Sequence, residues 1–241
     1  MEQRVCEKHG PYLTSYINVF DIPFETPCPE CEKLREQAEE QTYLKELAEH
    51  KRRDLVERGV EPEFLDKTFD DYKAETESEK NALRAVKALQ SGTIKKVVLL
   101  GANGVGKTML ADCLIKEIGG IRITMFELSA RIREGFNCNQ TEVNTLEKLL
   151  RYPLIVIDEV GRTKGSEAER NWLSYLIDKV HTRGKRLMLI SNRQTAKHLP
   201  PERKGDAFEY FFDNDVISRL RQDTWIVEVT GRDRRATVAA I

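Results

Sequence analysis

Eight consecutive residues near the middle of the chain have the types and spacing that phosphate binding requires. They are Gly101, Ala102, Asn103, Gly104, Val105, Gly106, Lys107 and Thr108. They match the pattern G-x-x-x-x-G-K-[ST], in which a tight glycine turn lets backbone N–H groups converge on phosphate oxygens. A helix that starts here directs its positive end at the same phosphates, Lys107 reaches the β- and γ-phosphates, and Thr108 coordinates Mg²⁺. The run predicts a site for ATP and Mg²⁺.

Two adjacent carboxylates, Asp158 and Glu159, follow the apolar run 154–157. Ligands of open α/β sheets collect at the carboxyl ends of the strands, so we expect both acids beside the phosphates. Asp158 would hold Mg²⁺ through water, and Glu159 would orient the attacking water and accept its proton. This pair favours hydrolysis of ATP over transfer of a phosphoryl group to a small acceptor, because a kinase needs no water-activating carboxylate.

Polar residues further along the chain are candidates for sensing the γ-phosphate. Asn192 follows the apolar segment 187–191, where a neutral amide could lie between the attacking water and the phosphate. A turn-forming asparagine after a strand is the alternative. Arg219 lies on an expected short amphipathic helix, from which an arginine could stabilise the transition state in a neighbouring subunit. For Arg219, and for Arg232 and Arg234 after the last expected strand, a solvated basic surface is the alternative.

The first 31 residues contain two pairs of metal-ligand residues. Cys6 and His9 form one pair and Cys28 and Cys31 the other, each with two residues between its members and 18 residues between the pairs. Tetrahedral Zn²⁺ takes four such ligands, and this short spacing lets both side chains of a pair face one ion. About 31 residues cannot fold on apolar burial alone, whereas structural zinc contributes about 10–16 kcal/mol. The pattern predicts a structural zinc site.

The overall composition excludes several classes of protein. The chain has 241 residues with 39 basic and 40 acidic side chains, so affinity for nucleic acid must come from a local patch. Lys185, Arg186 and Arg193 are the candidates for such a patch. The longest apolar runs, among them 97–100 and 154–157, have four residues each, far below the roughly 18 of a membrane helix. The charged N-terminus does not resemble a signal peptide, so we expect a cytoplasmic protein without a membrane segment.

Composition divides the chain into three segments. Residues 1–31 form the expected zinc module, 32–67 a charged helical linker, and 68–241 the expected catalytic domain. In the third segment short apolar strands alternate with helical patterns, which predicts a parallel sheet covered by helices. One helix is expected to start after Ser166, which forms a capping box with Glu169. The strands are expected at 96–100, 122–127, 154–158, 187–191 and 225–229.

Taken together, these segments resemble the bacterial and phage replicative-helicase loaders of the DnaC type, a branch of the AAA+ ATPases. The resemblance covers about residues 60–241 and is carried by 101–108, 154–159, Ser191-Asn192, Ser218-Arg219-Leu220 and Arg235. It implies an α/β fold, an AAA+ P-loop NTPase with a five-stranded parallel sheet. It also implies that Asn192 is the first sensor, Arg219 the arginine finger, with Arg221 as the alternative, and Arg235 the second sensor. The N-terminal cysteine and histidine pairs resemble the zinc module with which phage-type loaders engage the helicase.

The resemblance leads to a specific functional hypothesis. The protein would use ATP to place a hexameric DnaB-type replicative helicase on single-stranded DNA, and would form a homo-oligomer when ATP is bound. Three other functions remain open: an accessory ATPase of a transposition system, a zinc-dependent adaptor switched by ATP binding alone, and a small-molecule kinase. The first would act on duplex DNA, the second would not need Glu159, and the third would need an acceptor pocket that the sequence does not indicate.

Overall fold

The structure, a computed structural model, describes residues 2–19, 22–162, 166–212 and 214–235. The chain divides into two compact units, Met1–Asp54 and Leu55–Ile241. The predicted division into 1–31, 32–67 and 68–241 concerns function and stays a prediction. Within the described residues, every helix is either too short or too polar to span a bilayer.

The N-terminal unit contains two small antiparallel hairpins followed by a long helix. Strand β1 (Glu2–Cys6) pairs with β2 (Gly10–Thr14), and β3 (Tyr16–Val19) pairs with β4 (Ile22–Glu25). Helix α1 (Pro29–Glu57) contributes no buried residue. Among the side chains described in this unit, Thr14 and Cys28 alone are buried. In the first hairpin Thr14 alone is buried, so apolar burial contributes little to the stability of β1 and β2.

The second unit is a five-stranded parallel sheet between two helical layers, which confirms the predicted fold class. The spatial order of the strands is β6-β7-β8-β5-β9. In chain order the elements are α2 (Glu77–Ser91), β5 (Lys96–Leu100), α3 (Lys107–Ile118), β6 (Ile121–Thr124), α4 (Met125–Asn137), α5 (Glu142–Leu149), β7 (Leu154–Asp158), α6 (Glu167–Thr182), β8 (Arg186–Ser191), α7 (Asn214–Arg221) and β9 (Thr224–Glu228).

The two faces of the sheet contact different helices. In β5, Val98 and Leu100 pack with residues of α4, α5, α6 and α7, whereas Val97 and Leu99 pack with α2 and α3. Residues in β5, β7 and β8 are almost all buried because both faces are covered, which explains why these strands are continuous apolar runs. The carboxyl ends of the strands meet at one edge, where the phosphate loop lies.

One predicted strand is wrong at its carboxyl end. The strand expected at 122–127 is β6, which ends at Thr124, and α4 begins at Met125. The Thr124 hydroxyl accepts a hydrogen bond from the Glu127 amide at 3.1 Å, and the Glu127 carboxylate accepts one from the Thr124 amide at 2.8 Å. This capping box starts the helix before the strand can continue. The other four strands lie within one residue of their expected bounds, and Ser166 caps α6 with Glu169 as predicted.

Candidate functional site

The phosphate loop connects β5 to the first turn of α3. Gly101 and Gly106 have φ angles of +132° and +88°, in the left-handed region that favours glycine. A Cβ atom at Gly101 would lie 2.1 Å from the carbonyl oxygen of Val229, so no larger residue fits there. The loop borders a cavity of about 470 Å³, whose lining includes Asn103, Gly104, Gly106, Lys107, Thr108, Asp158, Glu159, Asn192 and Arg235.

Lys107 is a buried residue of this lining, and its side chain forms hydrogen bonds to the loop itself. Its Nζ donates hydrogen bonds to the carbonyl oxygens of Gly101 and Ala102, each at 2.7 Å, and to Oδ1 of Asn192 at 3.1 Å. Burial disfavours the ammonium form and lowers the pKa of Lys107 to about 8. A polyanion would restore a counter-charge, so the arrangement suits a nucleotide phosphate. It also brings Asn192 beside the phosphate loop, and the sensor role of this residue stays a prediction.

The predicted magnesium ligands lie next to each other in the lining of the same cavity. The Thr108 hydroxyl donates a hydrogen bond to Oδ2 of Asp158 at 3.2 Å, and the amide of Glu159 donates one to Oδ1 at 2.7 Å. Burial raises the pKa of Asp158, although the hydrogen bond from the Glu159 amide and the charge of a nearby arginine act in the opposite direction. A hydroxyl and a carboxylate are oxygen ligands of the kind that Mg²⁺ prefers. Thr108 and Asp158 therefore fit a magnesium site.

Glu159 occupies an unusual backbone position directly after β7. Its φ angle of +57° is rare for a residue other than glycine, and strain of this kind occurs often at functional sites. The carboxylate is partly exposed and forms an ion pair with Arg162 at 2.5 Å. The turn directs it away from the buried strand while Asp158 remains inside. Two adjacent acids thus have different environments, as different roles require.

Arg122 is a residue of this site that sequence reasoning missed. Its Nη1 lies 3.5 Å from Oδ2 of Asp158, and its Nε donates a hydrogen bond to Oδ1 of Asp112 at 2.8 Å. The burial of Asp112 raises the pKa of that carboxyl to about 6. The signal was present in β6, where Arg122 and Thr124 alternate with the buried Ile121 and Ile123. Because that segment was expected to be a longer strand, its end was not placed beside Asp158.

The chain after β9 returns to the phosphate loop. The amide of Arg234 donates a hydrogen bond to the carbonyl oxygen of Gly104 at 2.9 Å. The guanidinium of Arg234 lies 4.4 Å from the ring centroid of Tyr72 and donates to the buried Glu79 at 2.7 Å. Both Arg234 and Arg235 line the cavity, but Arg235 is exposed. The Arg234 side chain is therefore held by Glu79 and Tyr72, whereas the Arg235 side chain is more accessible to a ligand.

The four predicted zinc ligands lie together in the N-terminal unit. Their Sγ and Nδ1 atoms all lie within 4.8 Å of one another. Sγ of Cys31 is 3.3 Å from Nδ1 of His9 and 3.5 Å from Sγ of Cys6. In a tetrahedral site with bonds near 2.3 Å, ligand atoms are about 3.7 Å apart. The hydrogen bonds from the Lys8 and His9 amides lower the pKa of Cys6 to about 6, whereas the hydrogen bond between the two sulfurs raises the pKa of Cys31 to about 11. The donor set fits Zn²⁺.

A comparison with protein families matches residues 40–236 to the family described as "IstB-like ATP binding protein". The match spans most of the chain and includes the whole phosphate loop. The protein belongs to the IstB-like ATP-binding family.

Relatives of this IstB-like protein include replicative helicase loaders. DnaC of Escherichia coli strain K12 is 25% identical over 187 residues, covering 73% of this chain and 75% of DnaC. DnaC of Buchnera aphidicola subsp. Acyrthosiphon pisum is 24% identical over 148 residues, covering 57% and 60%.

Solved structures agree with the AAA+ P-loop fold. A crystal structure of the DnaC helicase loader has a TM-score of 0.57 at 20% identity and covers 70% of this chain and 100% of that chain. The replication initiator DnaA, bound to AMPPCP and single-stranded DNA, has a TM-score of 0.57 at 17% identity, covering 72% of this chain and 52% of that chain. At these identities the likeness establishes the fold alone.

The predicted arginine finger of the IstB-like protein, Arg219, lies away from the phosphate loop. Arg219 on α7 forms an ion pair with Asp178 on α6 at 2.5 Å and does not line the cavity that contains Lys107. This position cannot serve the site of the same subunit, so an arginine-finger role would require a neighbouring subunit.

The candidate DNA-contacting residues are not arranged as an open basic patch. Arg193 donates hydrogen bonds to the carbonyl oxygens of Gly161 at 2.7 Å and Asp206 at 3.0 Å. Arg186 is half-buried, and its Nε makes no hydrogen bond to the part of the chain that the structure describes. Lys185 is half-buried as well. Arg193 therefore holds two segments of its own fold together.

Proposed function

We propose that this protein is an ATP-dependent loader, which binds a hexameric DnaB-type helicase and places it on single-stranded DNA in the cytoplasm. The supporting observation is the meeting of Lys107, Thr108, Asp158 and Asn192 at one cavity. It occurs in a chain that is similar to DnaC over 73% of its length. The cavity supplies the nucleotide switch, and the similarity indicates the process that the switch controls.

In this proposal the chain's own side chains carry out the hydrolysis of ATP. The loop amides and Lys107 bind the phosphates, while Asn192 contacts the γ-phosphate beside the attacking water. Glu159 orients that water and accepts its proton, which its partly exposed position after β7 permits. Arg235 at the cavity lining stabilises the charge of the terminal phosphate. When bound by Thr108 and Asp158, Mg²⁺ supplies positive charge that offsets the charge of the phosphate oxygens.

ATP hydrolysis would depend on the assembly of several subunits. Arg219 lies outside its own cavity, so a neighbouring subunit's Arg219 would complete each site in an ATP-bound homo-oligomer. Single-stranded DNA would contact a basic surface through its phosphates, and this binding would weaken as the salt concentration rises. In this proposal residues 1–31 dock on the helicase and residues 68–241 form the ATPase domain. Residues 32–67 are the helical linker between these two parts.

Co-purification with a hexameric replicative helicase tests the docking step. We expect a stable complex with the full chain that is lost when Cys28 and Cys31 are both replaced by serine. Cys138→Ser is the matched control, because Cys138 is an exposed free cysteine outside the four-residue cluster. The absence of a complex under every nucleotide condition would overturn the loader function and leave the ATP site unaffected.

The choice of DNA separates the loader from an accessory ATPase of a transposition system. A loader is expected to bind single-stranded oligonucleotides more tightly than duplexes of the same length in the presence of ATP. A preference for duplex DNA, together with failure to bind the helicase, would favour the accessory ATPase. Fluorescence anisotropy at several salt concentrations measures both affinities and their salt dependence.

A further inference from the structure

Arg122 connects the candidate magnesium site with the segment that leads into the ATPase fold. Helix α1 ends at Glu57, and we call residues 58–61 that follow it the connector. The connector lies along β6: the Arg122 amide donates a hydrogen bond to the carbonyl oxygen of Arg58 at 2.8 Å. Gly59 is so close to Arg122 that an added Cβ would lie 2.1 Å from the Arg122 carbonyl oxygen.

The side chain of Arg122 also holds the connector. Its Nη2 donates hydrogen bonds to the carbonyl oxygen of Gly59 and to Oε1 of Glu61, the latter at 3.3 Å. Asp112, which accepts a hydrogen bond from Nε of Arg122, accepts another from the Glu61 amide at 2.8 Å through its second oxygen. Val60 between these residues is buried. One guanidinium and one carboxylate therefore fix the backbone of the connector.

The third nitrogen of the same guanidinium faces the nucleotide cavity. Nη1 of Arg122 is 3.5 Å from Oδ2 of Asp158, the oxygen that also accepts the Thr108 hydroxyl. The Arg122 and Asp158 side chains are each 9% exposed, so solvent screens their attraction little. Arg122 is thus shared between acceptors on the connector, of which Glu61 also lines the cavity, and the carboxylate of Asp158.

We propose that Arg122 is a positioning residue that transmits the state of Asp158 to the connector, and this inference rests on the proposed ATP site. A divalent cation bound beside Asp158 compensates the carboxylate and repels the guanidinium. Arg122 then interacts more strongly with Gly59, Glu61 and Asp112. Binding of Mg²⁺ and nucleotide at the cavity therefore strengthens the hydrogen bonds that hold the backbone of the connector in place.

Amide hydrogen exchange in the full chain measures this coupling directly. The states to compare are the protein alone, with a non-hydrolysable ATP analogue, and with the analogue and Mg²⁺. We expect Mg²⁺ with the analogue to slow exchange at the Val60 and Glu61 amides about fivefold, the lower end of typical coupling between two sites. Without Mg²⁺, the analogue is expected to change the logarithm of the exchange rate by less than half as much.

Arg122→Lys tests whether the guanidinium carries the coupling. Lysine keeps the charge but cannot donate to Asp112, Gly59 and Asp158 in the same fixed geometry. We expect the variant to bind the analogue and to lose the Mg²⁺-dependent slowing. Arg183→Lys is the matched control, because Arg183 pairs with Glu147 outside the connector and the cavity. That control is expected to retain the full slowing.

Glu61→Gln gives a second test that does not remove the buried arginine. Its side chain is 35% exposed, so the variant is expected to fold even if Arg122→Lys does not. The slowing should decrease, and by linkage the contribution of Mg²⁺ to analogue affinity should fall by the same factor.

Several results would overturn the coupling. They are unchanged exchange at Val60 and Glu61 in a wild-type protein that binds the analogue with Mg²⁺, or full slowing in Arg122→Lys or in Glu61→Gln. Failure of the wild-type protein to bind the analogue at all would instead overturn the ATP site, and the coupling with it.

Discussion

At the scale of single residues, the site contains two adjacent acids in contrasting surroundings. Asp158 is buried beside Thr108 and Arg122, whereas the carboxylate of Glu159 is partly exposed and pairs with Arg162. A buried acid suits metal binding, and a more exposed acid can receive a proton from water. This difference in environment supports different roles for two neighbours that are chemically alike.

Replacing Glu159 by glutamine tests its role as the base. We expect Glu159→Gln to bind ATP like the parent and to lower kcat by about a thousandfold, within the usual range for loss of a general base. Equilibrium nucleotide binding and steady-state phosphate release measure the two effects. Glu77→Gln, at an exposed acid in the first turn of α2, is the control that should not change kcat. A Glu159→Gln protein with normal turnover contradicts this role.

Arg219 and Arg221 can be separated by their effects on assembled protein. The Arg219–Asp178 pair is half exposed, so it is expected to contribute at most about 1 kcal/mol and to open readily at a subunit interface. Arg219→Ala should lower kcat by about a thousandfold at protein concentrations where subunits assemble, as loss of an arginine finger does.

The same variant should leave ATP binding by the isolated subunit unchanged. Arg221→Ala is the comparison, because both arginines lie in the last turn of α7. ATP turnover measured against protein concentration gives the result. A loss of turnover in Arg221→Ala alone would assign the role to Arg221.

At the scale of elements, α5 and α6 are joined by a charged contact. Glu147 on α5 accepts hydrogen bonds from Arg183, which follows α6, at 2.7 and 2.9 Å, and from the Tyr175 hydroxyl at 2.6 Å. These donors, Arg183 first, lower the pKa of Glu147 to about 2. The contact therefore involves an ionised carboxylate over most of the pH range.

The contribution of this contact to stability is expected to depend on pH. Since the pKa of Glu147 is lower in the folded than in the unfolded chain, the stabilisation is present above pH about 5 and is lost toward pH 2. Glu147→Gln should lower the Tm at pH 7, and its difference from the parent should shrink as the pH falls. Thermal unfolding at pH 7, 4 and 2.5 measures this. A constant difference at all three values would contradict the assignment.

Element types followed from the sequence more reliably than the junction of β6 and α4. Apolar runs in β5 and β7 gave their bounds correctly, because strands covered on both faces must be apolar throughout. At β6, Ile121 and Ile123 indicated a strand, but the capping box at Thr124 determined where the helix began. The capping box formed by Thr124 and Glu127 starts a helix inside the segment that the longer strand pattern covered, so the strand ends at Thr124.

At the scale of the whole molecule, the two compact units differ in what stabilises them. The unit Leu55–Ile241 has buried clusters on both faces of its sheet. In Met1–Asp54, Thr14 and Cys28 are the buried residues among those whose side chains are described, and four metal-ligand side chains lie together. The first unit is therefore expected to depend on a bound ion and the second on apolar burial.

Removal of zinc should affect the two units differently. We expect one equivalent of Zn²⁺ per chain, and chelation should abolish protection from protease in residues 2–31 while the ATPase unit keeps its Tm. Cys28→Ser combined with Cys31→Ser should give the same result without chelator, and Cys138→Ser should behave like the parent. Metal analysis, limited proteolysis and calorimetry report these outcomes. Full protection of residues 2–31 in metal-free protein would exclude a structural zinc site.

The sequence by itself determined the phosphate loop, the acids at 158 and 159, the four clustered cysteine and histidine residues and the parallel sheet. Each depends on residues close in sequence or on an apolar period that one segment displays alone. Tertiary structure decided what lies beside Asp158, because Arg122, Asp112 and the connector come from separate segments. These side chains come into contact only when β6 pairs with β7, and a local sequence pattern carries no information on contacts between distant segments.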